Sequence, residues 1–273
     1  MSASTSGRLN LATIVSIAIP AFALESVVHE VVGHTLVAYA TGVKVVLITS
    51  TVLQFHDGTR LAAGAGPVAN LFFGALAFLL FRRFPRFSSA RLFLWLFAFS
   101  NLLLGTGYIL YSGVLDRGDS AIVVAGLQPA WLYHLALIAF GALGYRLSVR
   151  LAARDTLALI RNGSLLPDDV ERIVYPSCIA GAVLYVVASI FNPVSPSVIL
   201  SDGLPAAVGV SFGLLLIPRI VRELAERLPS PSTGQPPTLV SPASLPLSVA
   251  WLVFGSVAAV LFVILLGHGI RPG

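Results

Sequence analysis

Glu25, His29, Glu30 and His34 fall in one short run, Glu25-Ser26-Val27-Val28-His29-Glu30-Val31-Val32-Gly33-His34. The surrounding residues are apolar enough to cross a bilayer. Ionisable groups in hydrocarbon are costly unless they pair or bind something, so the cluster marks a functional site. Two imidazoles beside a carboxylate are the parts of a hydrolytic zinc site. The spacing is unusual. His29 and His34 stand at i and i+5, about 140° apart on a regular α-helix, where i and i+4 would be about 40° apart. A turn of π-helix would bring both to one side, and Gly33 eases that distortion. On a regular helix the pairs would instead be Glu25 with His29 and Glu30 with His34, each at i,i+4, and Glu30 would be a ligand rather than a base.

A zinc site that hydrolyses keeps three protein ligands and an open position. Asp119, in Leu115-Asp116-Arg117-Gly118-Asp119, is the first choice for the third, followed by Asp116 and then His134. His56 and His268 read as surface residues. The single Cys178 excludes an intramolecular disulfide framework and a Cys-rich metal site.

The elements that position these residues follow from composition. Only 11% of the chain is charged, against about 25% in soluble proteins, so this is an all-α polytopic membrane protein. Apolar runs of about 20 residues or more fall at 10–41, 62–81, 92–114, 121–147, 174–192, 203–220 and 247–268. The first is about 50 Å long as a helix, so it tilts, projects or breaks at Pro20. It holds the motif, so it is not read as a cleavable signal. About seven transmembrane helices result, a six-helix core plus a C-terminal helix.

Arginines alternate between connections. Arg82, Arg83, Arg86 and Arg91 fill the second. Arg146, Arg150, Arg154, Arg161 and Arg172 fill the fourth, and Arg219, Arg222 and Arg227 begin the sixth. The positive-inside rule then gives a cytoplasmic N-terminus and an external C-terminus. This is membrane charge patterning. There is one lysine, Lys44, and no nucleic-acid partner is expected from the net charge of +5.

Residues 43–61 are rich in β-branched side chains and read as a small β-like hairpin with a turn signal at His56-Asp57-Gly58. Residues 152–172 read as a short amphipathic surface helix broken at Asn162-Gly163. Residues 229–246 are a Pro-rich linker. The linker makes the helix at 247–273 an appendage to domain 1–228. Gly64-Ala65-Gly66-Pro67-Val68-Ala69-Asn70 opens the second span with small residues that allow close helix approach. Asn70 adds an amide able to bond a substrate carbonyl or an oxyanion.

Together these motifs resemble the site-2 protease family of intramembrane zinc metallopeptidases, nearest its short bacterial branch without a PDZ domain. The resemblance rests on His29-Glu30-Val31-Val32-Gly33-His34, then Ala38, Ala40 and Gly42, the β-like segment, Gly66-Pro67-Val68-Ala69-Asn70, and Asn101 followed by Asp116 or Asp119. It covers about residues 20–125, within a catalytic-like core at about 10–125.

The resemblance implies zinc on His29 and His34, with Asp119 or Asp116 completing the shell. Glu30 would be the general base that activates zinc-bound water, and Asn70 would help hold the substrate strand or the oxyanion. The β-like segment would pair with an unwound membrane-protein substrate. It also implies a multi-pass protein of a bacterial inner (plasma) membrane. Two other function classes fit the same residues. One is a catalytically silent relative that binds metal or a helical partner. The other is an ion- or proton-coupled transporter, although the paired repeat of broken helices such proteins carry is missing.

Overall fold

The computed structural model describes residues 8–84, 86–195, 204–227 and 244–272. Most of the linker expected at 229–246 therefore lies outside the described residues. Helix α1 (Leu11–Val27) starts where the Asn10 side chain accepts from the Thr13 N–H. It continues through a π-helical segment, Val28–Thr35, into α2 (Leu36–Ala40). The 30 residues form one candidate span. The chain leaves it at Gly42, whose φ of +73° is open to glycine without strain.

A hairpin follows, with β1 (Lys44–Ile48) antiparallel to β2 (Leu53–His56) and an irregularity between Val45 and Leu47. Its turn is not at His56-Asp57-Gly58. It is closed at Thr49–Val52, where Thr49 N donates to Val52 O at 3.0 Å and Val52 N donates to the Thr49 hydroxyl at 2.9 Å. The Asp-Gly signal marks the way out of β2, with Asp57 at φ 52°, and Thr59 then caps the next helix.

That helix is α3 (Arg60–Phe81). It is followed by α4 (Ser89–Leu115), the short α5 (Asp119–Val124), α6 (Ala130–Arg161), α7 (Pro167–Ile190), α8 (Leu204–Leu215), α9 (Ile217–Glu226) and α10 (Val249–Leu261). Six helices among the described residues are long and apolar enough to cross a membrane. In lipid the helices gain little from apolar burial against each other, so close packing of small residues carries much of the association. A Cβ on Gly141 would sit 2.5 Å from Leu110 N, which sets how closely α6 meets α4.

Two expected boundaries move. The run at 121–147 does not form one helix, because Gly126 (φ +74°) and Gln128-Pro129 separate α5 from α6. The surface helix expected at 152–172 is divided between neighbours. Its first part extends α6, burying Ala152, Thr156 and Leu159, and its last part begins α7 at Pro167. The break at Asn162-Gly163 is present, with Gly163 at φ +73°.

The run at 203–220 is interrupted at Leu216, two residues before Pro218. Asn192, just after α7, donates to the Thr49 and Thr51 hydroxyls of the hairpin. Arg222 on α9 pairs with Glu171 at the opposite end, where Arg8 pairs with Asp169. The described part of the run forms α8 and α9, and neither is among the six candidate spans, where the sequence had suggested about seven. The C-terminal helix α10 is held against α1. A Cβ on Gly255 would lie 2.5 Å from Ser16 O, and Ser248 N donates to the Thr13 hydroxyl at 3.0 Å. Beyond it, Ile270 exchanges two backbone hydrogen bonds with Ile48, at the outer edge of β1.

Candidate metal centre

The conflict between spacing and helix geometry is resolved by the π-helical segment. With i→i+5 hydrogen bonding, residue i+5 stands about one turn above residue i, as i+4 does in an α-helix. The imidazoles of His29 and His34 therefore meet, edge to face, with ring centroids 4.7 Å apart. The Thr35 hydroxyl donates to Glu30 O at 2.7 Å, also five residues back. The segment lies tight against α3. A Cβ on Gly33 would be 2.6 Å from Gly66 Cα, and a Cβ on Gly66 would collide with the His34 ring. Gly66 is glycine because the imidazole occupies the space a side chain would need.

Hydrogen bonds set the tautomer of each ring. Asn70 Nδ2 donates to Asn101 Oδ1 at 2.8 Å and to Glu25 O at 3.2 Å, which turns Asn70 Oδ1 toward His29 Nδ1 at 2.5 Å. An amide oxygen only accepts, so His29 carries its proton on Nδ1. His34 Nδ1 donates to Ala62 O at 2.7 Å, with the same consequence. Both Nε2 atoms are thereby left to point at one another, 3.2 Å apart. Metal-ligating histidines are oriented in this way, with the second nitrogen donating to an oxygen.

The third member is Asp119, the first residue of α5. Asp116 at φ 53° and Gly118 at φ +79° turn the chain between α4 and α5 so that this carboxylate points inward. Asp119 Oδ2 lies 3.0 Å from His29 Nε2 and 3.4 Å from His34 Nε2. Burial raises the pKa of this carboxyl, and an imidazole protonated at Nε2 beside it outweighs that and holds the carboxyl below the usual carboxylate range. With both Nε2 atoms unprotonated that pairing is absent, and the carboxylate meets two lone pairs instead.

The donor set fits a zinc ion. Tetrahedral ligation with bonds of about 2.0–2.1 Å places ligand atoms roughly 3.3 Å apart, close to the 3.0, 3.2 and 3.4 Å found here. Two imidazole lone pairs and a carboxylate converge, an arrangement that a cation relieves. Asp119 is the most open of the three, with its side chain 21% exposed.

The other sequence candidates lie elsewhere. Asp116 and His134 pair with each other at 3.5 Å, and Asp116 is 74% exposed. Neither belongs to the group formed by His29, His34 and Asp119. Glu25 is fully buried and accepts from the Tyr185 hydroxyl at 2.7 Å. Glu30 remains electrostatically coupled to His34, but it is not one of the three groups whose ligand atoms converge. Glu30 is buried on that segment and, with His29, lines a cavity of about 10 Å³, room for about one water. Asn70 is fully buried, and both its amide protons are engaged within the protein. His56 and His268 are exposed.

Sequence reasoning missed Ser50, Tyr108 and Tyr185, which line the same cavity. Ser50 and Tyr185 come from a turn and a distant helix that carry no motif. No family model matches the chain, and no curated protein or solved structure matches it. What stands on the geometry is a multi-pass helical membrane protein whose buried His29, His34 and Asp119 could hold a metal ion.

Proposed function

We propose that the protein is an intramembrane zinc metalloendopeptidase of the site-2 protease kind, hydrolysing peptide bonds in or beside membrane spans. One observation carries this reading: two Nε2 atoms and a carboxylate meet within 4.8 Å, with Glu30 on the same π-helical segment beside a cavity. Zinc held there would supply a Lewis acid that polarises a carbonyl and makes water nucleophilic at neutral pH. Glu30 takes a proton from the attacking water and delivers it to the leaving nitrogen as the C–N bond breaks. Asn70 keeps the His29 ring aligned. The partner is a membrane-protein substrate presented through the bilayer. The arginine-rich end that holds Arg8 and Arg222 faces the cytoplasm of a bacterial cell.

A chelator series tests the reading. Purified protein in detergent, given a single-span reporter, should lose cleavage on treatment with 1,10-phenanthroline and regain it when zinc is returned in excess. Cleavage that persists in metal-free protein would contradict it.

Transport is a second reading, favoured by Glu25. This carboxyl is fully buried in the first span, and its Oε1 has no hydrogen-bond partner among the described residues. Proton flux in liposomes that is independent of metal would favour transport.

A further inference from the structure

The Ser50 hydroxyl is buried and has no hydrogen-bond partner among the described residues. It lines the cavity that His29 and Glu30 also line. A buried hydroxyl without a partner is disfavoured and calls for an explanation, of which a ligand group is one. The rest of the residue is tied down. The Ser26 hydroxyl donates to Ser50 O at 2.8 Å, and Ser50 N donates to Leu266 O at 2.9 Å. On either side, the Thr49 and Thr51 hydroxyls accept from Asn192 Nδ2. The hairpin turn is thus fixed against α1, the residues after α7 and the end of the last helix, with one side chain left over at the cavity.

Hydrolysis of a peptide bond places negative charge on the carbonyl oxygen, and preorganised donors there contribute strongly to rate. Asn70, the donor expected from the sequence, has both amide protons committed to Asn101 and to Glu25 O. We propose that Ser50 is a catalytic residue whose hydroxyl donates to the scissile carbonyl oxygen as charge develops. This rests on the endopeptidase reading. It adds a residue from the hairpin to a site otherwise built from helices.

The test uses zinc-loaded full-length protein in detergent, the single-span reporter as substrate, and a leucine-containing phosphinic peptide as a tetrahedral mimic. Ser50→Ala should lower kcat by about 10²–10³-fold. KM should move by less than about two-fold, and zinc content should hold. Affinity for the phosphinic peptide should fall in parallel with kcat/KM. Ser50→Thr keeps a hydroxyl and should recover most of the rate. Equal kcat in wild type and Ser50→Ala would overturn the assignment while leaving the endopeptidase reading in place. Loss of zinc or of folded protein in Ser50→Ala would make Ser50 structural and overturn it too. Zinc-loaded wild type that cleaves nothing would remove both.

Discussion

Glu30→Gln is expected to keep the metal and to lower the rate of peptide hydrolysis by about 10²–10⁴-fold. The substitution preserves shape and removes the base. Glu30 lies outside the converging group of His29, His34 and Asp119, so its loss leaves every ligand in place. It lines a cavity with room for about one water beside His29, where a carboxylate can take a proton from an attacking water. Turnover measured beside metal content separates three readings. Metal kept with turnover lost supports a base. Metal lost with turnover would make Glu30 a ligand, as the regular-helix pairing requires. Unchanged turnover would remove Glu30 from the chemistry.

Asp119→Ala should abolish stoichiometric metal binding, and hydrolysis with it, while Asp116→Ala should change neither. The two carboxylates are three residues apart. Only Asp119 reaches both imidazoles, at 3.0 and 3.4 Å, while Asp116 faces His134 at the surface. Cobalt substitution gives a direct readout, since tetrahedral cobalt absorbs strongly in the visible. Wild type and Asp116→Ala should give that spectrum and Asp119→Ala should not. Loss of the spectrum in Asp116→Ala with retention in Asp119→Ala would reverse the assignment of the third ligand.

The motif itself was legible because its misfit carried information. Two histidines five positions apart cannot serve one site on an α-helix, and the π-helical segment at Val28–Thr35 answers that constraint. The apolar runs gave the long helices because length and hydropathy are local properties. The hairpin was legible from its β-branched residues, but its turn was not. Asp57-Gly58 is the stronger turn signal by residue type, whereas the real turn is closed by the Thr49 hydroxyl and by tertiary bonds to Ser26 and Asn192.

The apolar run at 121–147 and the amphipathic pattern at 152–172 read as separate elements, but α6 (Ala130–Arg161) joins the end of the first to the start of the second. In the structure its small residues, Ala152 and Ala153, let it continue against neighbouring helices. The sequence ranks Asp119 before Asp116, and the structure makes that choice through backbone conformation at Asp116 and Gly118. Asn70 was singled out for its amide. Its neighbours Asn101 and Glu25, which consume that amide, lie 31 residues after it and 45 before it. Such long-range partnerships leave no mark in local pattern.

The central claim is that His29, His34 and Asp119 hold one zinc ion. The most direct test is the zinc content of protein purified in detergent with zinc supplied, for wild type beside His34→Ala. About one zinc per chain in wild type and none in the variant is the predicted result. A folded wild type that carries no zinc after that preparation would contradict the account, and the convergence of the three side chains would then be a feature of packing alone.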